Sequence, residues 1–263
     1  NNKENLVSKE GTIFANLGST IATKKIREAI LKLSTGKGTT FGNGSQQGLA
    51  NNLNAKSISH NAASKNLTDA LSALQIAQNS LDEIAALNQR LAELGTLNSN
   101  NSLLSTQDTA SLNAQTAAIT SAIDDIVTNT KFNTISMLGN SDITFTVGST
   151  IDGSNQLSIT IGGISSIASV TAASSATSTS NTLSTTLGTV QGQVTGGVTS
   201  SSALSNVNAS TSAVLEQASL NIEAVDYAVE TAKLTKNILL NKIALSLSAQ
   251  ANNVDASKLD LLR

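Results

Sequence analysis

The sequence predicts a mainly α protein of long helices lying side by side, with a single β-hairpin. Apolar residues recur at steps of three and four over stretches longer than an ordinary globular helix. Proline is absent from all 263 residues, so no helix interior loses an N–H or meets a ring clash. One stretch alone, within residues 143–161, switches to an alternation of period two. Hydrophobic content is 39%, yet aromatic content is 2%, with four Phe, one Tyr and no Trp. Aliphatic and small side chains suit packed helices better than a globular core built on large rings.

Taken in order, residues 1–33 contain a helical pattern ending in "KKIREAILKLSTGKG", with Ile26, Ile30 and Leu33 on one stripe. "STGKGTTFGNG" (34–44) then holds four glycines and predicts a loop or helix break. From about Ser45 to Gly95, Leu67, Leu71, Leu74, Leu81, Ile84, Leu87, Leu91 and Leu94 keep helical spacing. "GTLNSNNS" (95–102) predicts a turn. A further helix runs from about Thr106 to Thr130, where Leu112, Thr116, Ile119, Ile123, Ile126 and Thr130 step by four and three as a coiled-coil seam does. "ITFTV" (143–147) and "LSITI" (157–161) alternate around turn residues and predict the hairpin.

Residues 165–202 are rich in Ser, Thr and Gly, a linker composition. Spacing argues otherwise. Stepping by four and three from Leu183 reaches Leu187, Val190, Val194, Gly197, Ser201, Leu204, Asn208, Thr211, Leu215, Ala218, Ile222 and Val225, and nine of these thirteen positions are apolar. Gly188, Gly192, Gly196 and Gly197 each cost a helix about 1 kcal/mol against Ala. Burial of the seam returns roughly 1.5–3 kcal/mol per large side chain. A helix is therefore expected from about residue 180 to 225, about 65 Å long.

Residues 234–253, "LTKNILLNKIALSLSAQANN", are half Leu, Ile or Ala and carry only Lys236 and Lys242 as charges. A helix apolar almost all round must be buried, yet this one lies ten residues from the end of the sequence.

Several functional classes are excluded. A net charge of −2 gives no electrostatic case for nucleic acid. No apolar run reaches the roughly 20 residues a membrane span needs, and no basic amphipathic stretch suggests a membrane surface. The opening residues show no charged-then-apolar leader with a cleavage site, so a secreted chain would need another route or earlier processing. The absence of Cys removes disulfides, thiolate catalysis and Cys–metal sites.

His60, the only His, has no partners at metal or nucleophile spacing and is expected on a solvated helix face. Asp124 and Asp125 diverge by about 100° on a helix and are expected to serve solubility or a local salt bridge. "STGKGTT" lacks the first glycine of a phosphate loop, with Leu31 in its place, and is expected to be a turn. Lys233, Lys236 and Lys242 either neutralise neighbouring acids or are solvated. No enzyme, cofactor or metal is expected.

The two ends of the sequence resemble bacterial flagellin. "NIEAVDYAVETAKLTKNILLNKIALSLSAQANNVDASKLDLLR" is similar to the flagellin C-terminus, with its Ile-Glu-x-x-Asp-Tyr-Ala, Leu-Thr, Ala-Gln-Ala-Asn and final Leu261, Leu262 and Arg263. "AILKLSTGKG" resembles the family's Leu-Ser-Ser-Gly turn, and "SLDEIAALNQRLAEL" its long helix. "IDDIVTNTKFNTISML" resembles the segment ending in Phe-Asn and a hydrophobic pair. The hairpin followed by "LGTVQGQV" keeps the family order. The opening "NNKENLVSKEGTIF" departs from the usual Asn-Thr-Asn start, and the helix through 180–225 is about seven residues longer than the family pattern, an insertion that keeps the seam in register.

The resemblance implies antiparallel coiled-coil helices forming an outer rod over 41–225, with the hairpin at 140–165 and no separate large surface domain. It implies an inner layer in which the N- and C-terminal helices pair, over 1–40 and 226–263, as the polymer core. Residues 234–253 would then be covered by other copies of the chain. The expected inner-layer contacts are Ile26, Ile30, Leu33, Leu234, Ile238, Leu245 and Leu247. The expected outer-rod seam is Leu74, Leu81, Leu91, Ile119, Ile123, Leu215 and Ile222.

The implied function is a structural subunit of the bacterial flagellar filament, secreted and extracellular. It would be a homopolymer met by an export chaperone and a filament cap, with neither nucleic acid nor membrane as partner. Two alternatives of the same general shape are a hook–filament junction protein and a secreted coiled-coil adhesin. Some flagellins are met by an animal innate immune receptor through an Arg, a Leu and a Glu; the matching positions are Arg90, Leu94 and Gln115, with the acid replaced, and weak or absent recognition follows. The Ser/Thr-rich stretch suits either O-linked glycans or a small-residue helix face.

Overall fold

The structure is a computed structural model that describes residues 2–38, 44–99 and 101–260, with side chains over 10–38, 44–99 and 102–253. Five long helices dominate: α1 (Asn2–Thr35), α2 (Gly44–Asn98), α3 (Thr106–Asn129), α4 (Ala176–Glu223) and α5 (Tyr227–Asp260). Four strands lie between α3 and α4: β1 (Lys131–Phe132), β2 (Ile135–Ser136), β3 (Ile143–Val147) and β4 (Leu157–Ile161). The chain divides into two compact units, residues 1–55 with 214–263 and residues 56–213.

The middle unit, 56–213, holds the large apolar core. Leu74, Leu81 and Ile84 of α2 meet Ile123 and Val127 of α3, Ile159 and Ile161 of β4, and Leu183, Leu187, Val190 and Val194 of α4. Leu94, Leu112 and Ala173 form a smaller cluster beside it. The seam expected of α4 holds: Leu183, Leu187, Val190, Val194, Gly197, Ser201 and Asn208 are buried, and the rest of the series is half-buried. A Cβ built on Gly188, Gly192 or Gly196 would meet nothing within 4 Å. These glycines lie on the exposed side, where their cost is propensity alone. Gly197 differs: a Cβ there would lie 3.0 Å from Ile159 Cγ2 and 3.3 Å from Leu74 Cδ1. Its bare backbone lets the hairpin and α2 close on α4.

The hairpin pairs Ile143 with Ile161, Phe145 with Ile159 and Val147 with Leu157. Phe145, Val147, Leu157, Ile159 and Ile161 turn to the core, while the hydroxyls of Thr144 and Thr160 meet at 3.0 Å on the exposed face. Gln193 Oε1 of α4 accepts from the Gly162 N–H at 2.7 Å and fixes where the hairpin ends. A second, two-residue hairpin is an addition to the sequence expectation. In it β1 pairs with β2 around Asn133 and Thr134, at φ 46° and 72°, the signature of a tight primed turn.

Other expectations need correction. α2 continues to Asn98 rather than turning at Gly95, and α4 ends at Glu223, two residues before the seam pattern runs out. His60 is not on a solvated face. It is buried, with Nδ1 2.8 Å from Asn208 Oδ1 on α4. Asp124 is neither a solubilising charge nor an ion pair: it accepts from the Ser166 hydroxyl and, at 2.9 Å, from the Ile167 N–H, tethering the chain after the hairpin. Lys233 meets Glu230, three residues earlier in the sequence, at 3.3 Å.

Around His60, α2 and α4 meet through polar groups. Ser57 and Ser212 hydroxyls lie 2.9 Å apart, and so do those of Ser64 and Ser205. Residue numbers rise along α2 as they fall along α4, so the helices are antiparallel. At the head of α3, the Ser105 hydroxyl and N–H donate to the Asp108 carboxylate at 2.6 and 3.0 Å, and the Asp108 N–H donates back to Ser105 Oγ at 3.1 Å. The hydroxyl bond, then the backbone bond, holds Asp108 below the usual carboxylate range. This cap is therefore present above the ordinary carboxylate pKa and lost as pH falls through the lowered value.

Candidate assembly surface

The terminal unit, 1–55 with 214–263, is built on α1 against α5. On α1 a series withdrawn from solvent runs through Ala15, Ser19, Ala22, Ile26, Ala29 and Leu33, at alternating steps of four and three. On α5 a like series runs through Glu230, Leu234, Asn237, Asn241, Ala244, Ser248 and Ala251, at the same steps. Both seams have coiled-coil spacing, but apart from Ile26, Leu33 and Leu234 their content is small or polar. A Cβ on Gly18 would lie 3.8 Å from the Ala244 Cβ, and the Ser19 hydroxyl donates to Asn241 Oδ1 at 2.7 Å.

Most of the large apolar side chains point the other way. Ile13, Phe14, Leu17, Ile21, Ile30 and Leu31 are exposed on α1; Ile238, Leu239, Leu240, Ile243, Leu245 and Leu247 are exposed on α5. Phe14 is 70% exposed and Leu245 54%. An amphipathic helix normally turns this side inward; α1 and α5 do the reverse. Between them Phe14, Ile21, Leu240, Ile243 and Leu247 line an open apolar groove of about 710 Å³. Further along, Lys25, Lys32, Lys233 and Lys236 border a groove of about 380 Å³ with Glu28 and Glu230. Exposed apolar surface of this kind marks an interaction face.

The two sequence motifs flanking these helices have a mechanical reading. α1 stops at Gly36, whose φ of +69° suits a residue without Cβ, and its N–H donates to Lys32 O at 2.9 Å. Lys37 Nζ then meets Glu223 at 2.9 Å, and the Gly38 N–H donates to Glu223 O at 2.7 Å. Asp226 Oδ1 accepts from the Ala228 and Val229 N–H groups at 3.0 and 3.1 Å and caps α5. The Leu-Ser-x-Gly turn and the Ile-Glu-x-x-Asp-Tyr segment are thus the two halves of one lock. Residues 39–43 of the glycine-rich loop lie outside the described residues, as do Leu261, Leu262 and Arg263.

Of the inner-layer residues expected from sequence, Ile26, Leu33 and Leu234 join the α1–α5 seam, while Ile30, Ile238, Leu245 and Leu247 are on the exposed side. In the other set, Leu74, Leu81, Leu91 and Ile123 are fully buried and Ile119 is half-buried in the middle unit. Leu215 and Ile222 are half-buried in the terminal unit. Arg90 donates to Glu93 at 2.7 Å and to Gln115 at 3.3 Å on the surface, and Leu94 is fully buried. The seam residues Ala15, Ser19, Ala22, Ala29, Asn241 and Ala244 were not singled out from the sequence. Their signal was the seven-residue spacing of three alanines, which apolar bulk masks.

Comparison with known proteins is consistent in kind. Residues 14–142 match the bacterial flagellin N-terminal helical region and residues 170–262 the C-terminal helical region. A flagellin of Halalkalibacterium halodurans is 30% identical over 250 residues, covering 90% of this chain and 92% of that one. A flagellin of Listeria monocytogenes is 27% identical, covering 84% and 86%. The crystal structure of Bacillus cereus flagellin aligns at 23% identity with a TM-score of 0.39, covering 57% of this chain and 87% of that chain.

Proposed function

The chain belongs to the flagellin family and is a structural subunit of the flagellar filament, and from that premise we propose that copies join through the outward apolar faces of α1 and α5. The observation that carries this is the inversion of those two helices. Mostly small and polar residues meet the intramolecular partner, and Phe14, Ile21, Ile238, Leu245 and Leu247 are left to water. Burying such side chains returns roughly 1.5–3 kcal/mol each when complete, and a filament of identical subunits supplies the cover. On this reading residues 1–40 with 226–263 form the polymer core and 41–225 the outer rod.

Flagellins form an extracellular filament of identical subunits, and the family is structural rather than enzymatic. For this chain we extend that to secretion, with an export chaperone and a filament cap as transient partners. No helix among the described residues is long and apolar enough to cross a membrane. The junction-protein and adhesin readings are not favoured by the family matches.

The test is seeded growth. Leu245→Asp places a charge on the outward face and leaves the α1–α5 seam untouched. Elongation from wild-type seeds, followed by light scattering, is expected to slow about tenfold, the equivalent of losing one partly exposed Leu contact. Unchanged elongation would reject the outward face as the contact.

The receptor-contact positions lead to a separate expectation. Arg90 is engaged by Glu93 and Gln115, and Leu94 is fully buried. Monomeric protein is expected to activate receptor-bearing reporter cells weakly or not at all; strong activation would contradict this.

A further inference from the structure

The α1–α5 seam has a weakness that its composition creates. Ala15, Ala22 and Ala29 are seven residues apart and all buried. To α5 they look alike, so sliding α1 by one heptad returns an alanine to two of the three alanine positions. Packing at the alanine positions therefore says little about where along each other the helices should stop. In coiled coils a polar residue at one seam position specifies register at some cost in stability.

Such a residue is present. The Ser19 hydroxyl donates to Asn241 Oδ1 at 2.7 Å across the seam, both residues being half-buried. The bond ties α1 directly to α5 at this level of the seam. A slide of seven residues one way would set Ile26 against Asn241. The same slide the other way would set Ser19 against Leu234. Either leaves a half-buried polar group facing an aliphatic one, which is penalised more than the bond itself is rewarded.

We propose that Ser19 and Asn241 are the register-determining pair of the polymer core, choosing one alignment of α1 on α5 from a heptad-degenerate set. This rests on the reading of α1 and α5 as the filament's inner layer. Its consequence is that the outward ridges of α1 and α5 are offered to neighbouring copies in one fixed stagger. Identical staggers are what a regular lattice needs, because a heterologous interface propagates any offset from copy to copy.

The chain contains no Cys, so engineered pairs report register without interference. Gly18→Cys with Ala244→Cys reads the native alignment: the Cβ separation of 3.8 Å matches the disulfide mean of about 3.8 Å. Gly11→Cys or Lys25→Cys, each with Ala244→Cys, reads a slide of one heptad in either direction. Filaments are oxidised, dissolved and run without reductant, where an intrachain disulfide remains a monomer band and an interchain one does not.

With Ser19 and Asn241 present, the 18–244 disulfide is expected to form and the slipped pairs to stay near background. In the S19A/N241A background the slipped disulfides are expected to rise about three- to tenfold, the equivalent of one net hydrogen bond. The reciprocal exchange, Ser19→Asn with Asn241→Ser, is expected to bring them down again. Loss of assembly in S19A/N241A that the reciprocal exchange restores would support the pair equally. Filaments of S19A/N241A with slipped disulfides still at background would overturn this inference and leave the filament reading standing. Failure of the unsubstituted chain to form filaments would overturn both.

Discussion

Ending the chain after Val225 is expected to leave a folded monomer that forms no filaments at all. The deletion removes α5 whole, with the partner of Ser19, the cap at Asp226 and all six of the exposed apolar residues from Ile238 to Leu247. It leaves Glu223, which pairs with Lys37, and it leaves the middle unit untouched, whose core draws on α2, α3, α4 and the hairpin. α1 then has neither its seam partner nor a second ridge to present. A helix that has lost the partner of its seam is marginal in water, so α1 should melt while the middle unit stays helical. Circular dichroism should show a loss confined to about the share of α1 and α5, and electron microscopy after salting-out should show no filaments. Normal filaments from the shortened chain would refute the polymer-core assignment.

Leu74→Ala is expected to destabilise the middle unit by about 3 kcal/mol. Leu74 is fully buried and packed at the point where Gly197 lets α4 and the hairpin approach. Removing its side chain leaves a cavity between three elements that cannot all collapse into it, which is why such substitutions fall toward the costly end of their range. Set against a total stability of about 5–15 kcal/mol for a domain, the unfolding midpoint in urea should drop visibly. With no Trp and one Tyr, at position 227, far-ultraviolet dichroism is the suitable probe. A shift below about 1 kcal/mol would mean that the interior is loosely packed there.

Much of the middle unit was legible because its rule is simple: bulky aliphatic residues at helical spacing are covered. The four-and-three series from Leu183 crosses four glycines and a run of serines, yet no member of it is exposed. The hairpin was legible because apolar and hydroxyl residues alternate strictly in ITFTV and LSITI. What resisted reading was burial that depends on a distant polar partner. His60 is buried only because Asn208, 148 residues later, is there to bond it, and nothing local to His60 says so. The two-residue strands β1 and β2 are too short to show a period.

The terminal helices misled in a more instructive way. Ile26, Ile30 and Leu33 form a real stripe, but Ile30 is half in solvent, while alanines that no hydropathy pattern emphasises make the contact. Hydrophobicity marks what will be buried, not which partner will bury it. In a subunit whose shelter comes from other molecules, those two questions separate.

The contact between α2 and α4 changes material partway along: leucine, isoleucine and valine around Leu81 and Val190, hydroxyls and amides around Ser57, His60 and Asn208. The two materials respond oppositely to the weather. Oily contact loosens as water cools, whereas hydrogen bonds, being enthalpic, do not share that decline. In a chilled swimmer the leucine-rich stretch would be the first to slacken, and the serine-lined stretch would keep its grip.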